Sequence, residues 1–270
     1  MALWTRKTNN LVNLPQVTSQ QGQAPMSLSQ IALPNRARGM AFGMTGSGKS
    51  VLTQHLMEDW RRRYPATARI LIVDSKPNYR ALWRLNGTSA KGEYKRMEKE
   101  PPVPDSVLLP LQRHGELAQV WKADHHVAIA QIPNLGYIGA LEAIMSEFYA
   151  KGDAKYHQLV LVDEGADFFA SSGAFSRGNA LLQIVRSGRK RGVSLLFCSQ
   201  APRNLPTSIL SERTSLYVFK LALDADKKRL EDASLPPNFA IPNRKHDFYY
   251  HSHDDDRAGI YRLALEGQAA

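Results

Sequence analysis

Gly43-Met44-Thr45-Gly46-Ser47-Gly48-Lys49-Ser50 is the stretch on which the reading of the whole chain turns. Three glycines in eight residues let successive backbone N–H groups curl around an oxyanion where a Cβ would obstruct. A helix starting at the end of such a loop adds the partial positive charge of its N-terminus. In that arrangement Lys49 reaches the β- and γ-phosphates of a nucleoside triphosphate and the Ser50 hydroxyl ligates Mg²⁺. The reading requires a strand before the loop and a helix after it. Met40-Ala41-Phe42 supplies a short apolar run, and from Ser50 to Arg63 Leu52, Leu56 and Trp60 recur four residues apart. Gly43, Met44, Thr45, Gly46, Ser47, Gly48, Lys49, Ser50 and Val51 are therefore the expected binding residues for ATP and Mg²⁺.

Outward from the loop, uninterrupted apolar runs alternate with helical periods. Ile70–Val73, Val127–Ala130, Leu159–Val162, Val193–Cys198 and Leu216–Phe219 read as strands, and Ile138, Leu141, Met145 and Phe148 form one face of a helix. Strands without polar alternation belong to a parallel sheet covered on both faces, which predicts an α/β fold. Phe248–Tyr250 and Ile260–Leu263 flank Asp254–Gly259 and predict a C-terminal β-hairpin. Residues 1–34, rich in Gln, Ser, Asn and Thr with spaced prolines, read as an N-terminal arm, and 35–270 as one domain. The charge runs and prolines between 86 and 124 predict no clear element.

A second acidic feature follows the Leu159–Val162 run. A buried strand ending in Asp163-Glu164 puts carboxylates at the carboxyl edge of the sheet, where α/β folds bind ligands. Asp163 is the expected second Mg²⁺ residue. Glu164 is the expected base that orients and deprotonates the attacking water. Gln200, just past the next strand, is placed to contact the γ-phosphate or that water.

The chain has 270 residues, 43% of them hydrophobic, which excludes global disorder. Cys198 is the only cysteine, so no internal disulfide forms and a Cys-based zinc site is excluded in practice. No apolar run approaches 18 residues and the N-terminus lacks a secretory signal's apolar stretch, so the protein is expected to be soluble when synthesised. The formal charge of +10 points to a polyanionic partner. Arg61-Arg62-Arg63 is assigned to a helix C-terminus instead, where cations complement the dipole. Cys198 reads as a buried thiol. The histidines show no ligand spacing.

The order GMTGSGKS, ILIVDSKP, LVLVDEG and RSGRKRGVSLLFCSQAPRNLP resembles the HerA–FtsK superfamily of P-loop ATPases, over roughly residues 36–265. The most specific part is Gly188-Arg189-Lys190-Arg191-Gly192 leading into Ser199-Gln200-Ala201-Pro202. Asp74-Ser75-Lys76 is similar to the family's D-P-K segment, with Ser75 in place of the proline. The resemblance implies a RecA-type core with an extra strand between the two Walker strands, Glu164 as base, Gln200 as polar sensor and Lys49 at the phosphates. It also implies an arginine supplied across a subunit interface, Arg189 or Arg213, and a ring, a hexamer, that moves double-stranded DNA without reading its sequence. The absence of transmembrane segments and of a large N-terminal barrel makes the chain most similar to the genome-packaging ATPases of membrane-containing double-stranded DNA viruses. That likeness implies a location in the host cytoplasm or at the virion packaging vertex, with a capsid or membrane vertex protein as a further partner.

Two alternatives stand beside this reading. One is a conjugation or resection motor of the same superfamily. The other is an ATP-switched scaffold with little turnover. The segment 171–179, with Arg177, and the hairpin near Arg257 are the candidate loops for gripping DNA.

Overall fold

The computed structural model describes residues 17–19, 31–74, 106–109, 127–131, 138–166, 180–233, 235, 239–254 and 257–263. Ten strands form one sheet: β1 (Val17–Ser19), β2 (Arg38–Phe42), β3 (Ala68–Asp74), β4 (Ser106–Leu109), β5 (Val127–Gln131), β6 (His157–Val162), β7 (Val193–Ser199), β8 (Ser215–Phe219), β9 (Asp247–Ser252) and β10 (Arg257–Leu263). Their spatial order is β1-β10-β9-β8-β2-β7-β6-β3-β5-β4. From β8 to β4 every neighbouring pair is parallel, and β9, β10 and β1 continue the sheet antiparallel. This is the α/β architecture expected of a RecA-type P-loop core, with the C-terminal hairpin in place. β7 lies between β2, which feeds the glycine loop, and β6, which ends at the acidic pair. That is the inserted strand the resemblance implies.

The described helices are α1 (Lys49–Arg63), α2 (Ile138–Ala150), α3 (Ala180–Ser187), α4 (Thr207–Leu210) and α5 (Asp224–Glu231). They separate the apolar interior into two cores, one on each face of the sheet. Along β6 the side chains alternate: Leu159 and Leu161 join the α1 side, Val160 and Val162 the side of α2 and α3. Both sets are fully buried, which is why the run carries no polar residue from 159 to 162.

α1 buries Leu52, Leu56, Met57 and Trp60 against the sheet, and the Trp60 indole N–H donates to the carbonyl of His157 at 3.1 Å. Its last turn carries Arg61, Arg62 and Arg63 as expected. Arg62 and Arg63 also close on the buried Asp59, at 2.5 and 2.7 Å.

Two places within residues 1–34 take part in the described fold. Val17–Ser19 pairs with β10 and extends the sheet. Ile31 and Leu33 are fully buried on the α1 side, where the Tyr217 hydroxyl donates to the Ile31 carbonyl at 2.8 Å. β4 likewise forms inside the stretch that predicted no element. Ser75, Lys76, 171–179 with Arg177, and Asp255-Asp256 of the hairpin turn lie outside the described residues, whereas Arg257 opens β10.

Because Trp60 fills the α1 core and satisfies its own N–H there, Trp60→Ala is expected to cost about 3–5 kcal/mol. Denaturant unfolding measures this, and a loss below about 1 kcal/mol would mean that Trp60 does not anchor the helix.

Candidate functional site

The glycine loop leaves the carboxyl end of β2 and is tied down on three sides by main-chain hydrogen bonds. The N–H of Gly43 donates to the Ser199 carbonyl at 3.3 Å, and that of Met44 to the Lys220 carbonyl at 2.9 Å. The N–H of His246 donates to the Ser47 carbonyl at 3.1 Å. The loop is thus held by β7, by the end of β8 and by the turn before β9.

Two glycines have left-handed backbones, Gly46 at φ 74° and Gly48 at φ 108°. A Cβ on Gly43 would lie 2.6 Å from Phe219 Cβ. Around Gly46 there is open space, which leaves the loop's crest clear for a ligand. Gly48 is the N-cap of α1 and no side chain caps the helix, so its first N–H groups stay available to an anion. Ser47 is buried with a hydroxyl that has no hydrogen-bond partner. Lys49 is buried at the foot of the loop.

The acidic pair closes the other side. The N–H of Asp163 donates to the Val73 carbonyl at 2.9 Å, and both Asp163 and Glu164 are buried. Glu164 sits at φ 50°, a region L side chains rarely adopt. The next residue explains how the turn is held. The N–H of Gly165 donates to the Cys198 carbonyl at 2.8 Å, and a Cβ there would fall 2.1 Å from the Phe197 ring. Only glycine lets the chain pass this close to β7, and the bend aims Glu164 back toward the loop.

Gln200 joins the two halves. The Thr45 hydroxyl donates to Gln200 Oε1 at 2.8 Å, while Gln200 Nε2 donates to Glu164 Oε1. A continuous hydrogen-bonded chain therefore runs from the phosphate-type loop through the polar residue after β7 to the acid after β6. Ser50, in the first turn of α1, and Asp163, at the end of β6, are the hydroxyl and carboxylate that fit a hard cation shared with phosphate oxygens.

A cavity of about 290 Å³ lies beside the loop, lined by Met44, Thr45, Gly46, Ser47, Lys220 and Lys245. The two lysines are residues that motif reading missed. Each follows or precedes a strand far along the chain, and only the hydrogen bonds of Lys220 and His246 to the loop reveal them. Cys198, on β7, is buried. Burial pushes its thiol well up and the Asp163 charge adds to this, which keeps it protonated.

The two arginines are placed very differently. Arg189 is exposed, on the short helical turn Gly188–Arg191 before β7. That turn lies at the amino edge of the parallel sheet. β7's seven residues, at about 3.3 Å each, put it roughly 20 Å from its own loop. Arg213 is buried, with Nη1 donating to the Leu210 carbonyl at 2.7 Å. Its guanidinium is engaged inside its own chain, which leaves Arg189 as the arginine with a free face.

No protein-family model matches the chain. It is 30% identical over 80 residues to the DNA double-strand break repair helicase HerA of Sulfurisphaera tokodaii, a match spanning 30% of this chain and 16% of HerA. Among solved structures it is similar to the genome packaging NTPase B204 of Sulfolobus turreted icosahedral virus 2 in complex with ATP-gammaS. That likeness has a TM-score of 0.56 at 14% identity, over 86% of this chain and all of B204. The cytoplasmic domain of the type VII secretion ATPase EccC of Thermomonospora curvata matches with a TM-score of 0.57 at 15% identity, over 95% of this chain and 29% of that one. The fold is that of the P-loop ATPases, and over the 80 matched residues the chain is similar to HerA.

His246 gives the site a pH dependence. Its backbone is left-handed at φ 68° and its Nδ1 is buried without a hydrogen-bond partner, against Gly48. Desolvation lowers its pKa below the usual 6.5, and Lys245 acts in the same direction. His157 is lowered too, by burial and by Arg36 and Arg63. Both rings therefore bind a proton less readily in the folded chain than in the unfolded one. Their contribution to stability is complete above about pH 6.5 and is lost as the pH falls through the depressed folded values. The melting temperature is expected to drop on acidification from about pH 7 to 5, and His246→Asn, which tolerates positive φ, should flatten that limb. An unchanged slope in the variant would remove His246 from the account.

Proposed function

We propose that this chain is an ATPase that drives double-stranded DNA through a ring of its own copies, and that its role is viral genome packaging. The observation that carries the reading is the Thr45–Gln200–Glu164 hydrogen-bond chain. A nucleotide-binding loop needs no link to a buried acid in order to bind, whereas hydrolysis needs a base whose position depends on the γ-phosphate.

In this reading the triphosphate lies along the loop from Met44 to Ser50, held by main-chain N–H groups and the uncapped start of α1. Lys49 neutralises the β- and γ-oxygens. The orphan Ser47 hydroxyl is a further donor for a phosphate oxygen. Ser50 and Asp163 are the residues that would hold Mg²⁺, which would supply charge neutralisation to the phosphates. Glu164 takes the proton of the attacking water, and Gln200 holds both that carboxylate and the loop's Thr45. Loss of the γ-phosphate and protonation of Glu164 both act on the Gln200 link between the loop and the acid.

Arg189, exposed at the sheet edge opposite its own loop, is assigned to a neighbour's triphosphate. A trans arginine is worth about 10³–10⁵ in rate in comparable phosphoryl-transfer systems. The +10 charge and the similarity to HerA and B204 support DNA as the cargo. A capsid or membrane vertex protein is the further partner that packaging requires. Among the described residues no helix is long and apolar enough to cross a membrane. The similarity to EccC favours a second reading, a secretion-type motor acting on protein.

Lys49→Ala is expected to abolish turnover. Glu164→Gln should keep ATP bound and hydrolyse it slower by a factor of about 100 or more. Lys49→Ala and Arg189→Ala, each inactive alone, should regain part of the activity when mixed, since each supplies what the other lacks. Mixing without recovery would place Arg189 outside the site. Long double-stranded DNA should stimulate hydrolysis, with an affinity that falls linearly in log–log against salt. Stimulation by peptide and not by DNA would favour the secretion-type reading.

A further inference from the structure

We infer that Asp226 and Arg229 of α5 are positioning residues for the γ-phosphate sensor, so that α5 is mechanically tied to the state of the nucleotide. The inference rests on Gln200 being that sensor. Two residues beyond Gln200 the chain begins a short helical turn, Pro202–Asn204, with Pro202 buried. Asp226, itself 1% exposed, holds this turn twice: Oδ1 accepts the Arg203 backbone N–H at 3.1 Å, and Oδ2 accepts Arg203 Nη1 at 2.7 Å. One turn further along α5, the Arg229 guanidinium donates through Nε to the Leu205 carbonyl at 3.1 Å and through Nη2 to the same oxygen.

Asp226 and Arg229 are three residues apart and share a helix face. One helix therefore fixes the main chain at 203 and at 205. On the other side of Gln200 the segment is anchored by β7, where the Ser199 hydroxyl accepts the Ala201 N–H at 3.1 Å. Among the described residues the side-chain bonds of Gln200 run to Thr45 and Glu164. A carboxylate this deeply buried, paired to an arginine that is 41% exposed, is a costly way to pack a surface helix. It is an effective way to fix the position of the segment that follows the sensor. Any displacement of Gln200 on loss of the γ-phosphate then either strains the Asp226 contacts or moves α5 with it.

The test uses the full chain and reads ATP turnover together with the affinities for ATP-gammaS and ADP. Asp226→Asn and Arg203→Met are each expected to leave ADP affinity within about twofold. Both should lower kcat about tenfold and shrink the preference for ATP-gammaS over ADP by a similar factor. Arg203→Lys, which keeps the charge, should recover part of both. Arg203→Met decides the matter if Asp226→Asn fails to fold, because it alters a partly exposed side chain and leaves the backbone bond in place. Wild-type kcat and wild-type nucleotide preference in a folded variant, with only the melting temperature lowered, would reduce the contact to packing and overturn the inference. Gln200→Ala is the control for the premise. If that variant turns over normally, the sensor assignment fails and the inference falls with it; if it is impaired while Arg203→Met is not, only the role of α5 is refuted.

Discussion

A main chain that turns its N–H groups inward leaves its own carbonyls and flanks to be satisfied elsewhere, and this constraint organises the molecule. Within the glycine loop one turn closes on itself, the Ser47 N–H donating to the Met44 carbonyl at 3.2 Å, and the rest is held from outside. Its stability is lent by the carbonyls of Ser199 and Lys220 and by the N–H of His246. These come from β7, β8 and the turn before β9, so the loop keeps its shape only when three distant parts of the chain have already assembled. Buried main-chain groups are almost always paired, and here pairing is possible only across the finished sheet.

The same logic explains the bend after β6. Glu164 occupies a strained backbone region because Gly165 is drawn against Phe197 and bonded to Cys198. Strain of this kind costs on the order of 1–3 kcal/mol and persists where surrounding structure over-determines it. The return is a carboxylate aimed at the loop and reached by Gln200. α5 then extends the assembly past the sheet through Arg203.

Charge is distributed with comparable economy. The phosphate-type loop, Lys49, Lys220 and Lys245 lie at one edge of the parallel sheet. Arg189, at the opposite edge, has no route to its own loop.

The glycine loop, the acid pair and the apolar runs were legible in the sequence because each is a contiguous stretch whose chemistry and periodicity are local. The placement of Arg61–Arg63 at a helix end and the C-terminal hairpin followed for the same reason. Strand order, the burial of Ile31, Leu33 and Arg213, the lysines at 220 and 245, and the bonds of Asp226 and Arg229 to the chain after Gln200 depend on residues far apart in the chain. No local pattern encodes which strand end meets the loop. That was decided only when the tertiary fold brought main-chain donors and acceptors within about 3 Å of one another.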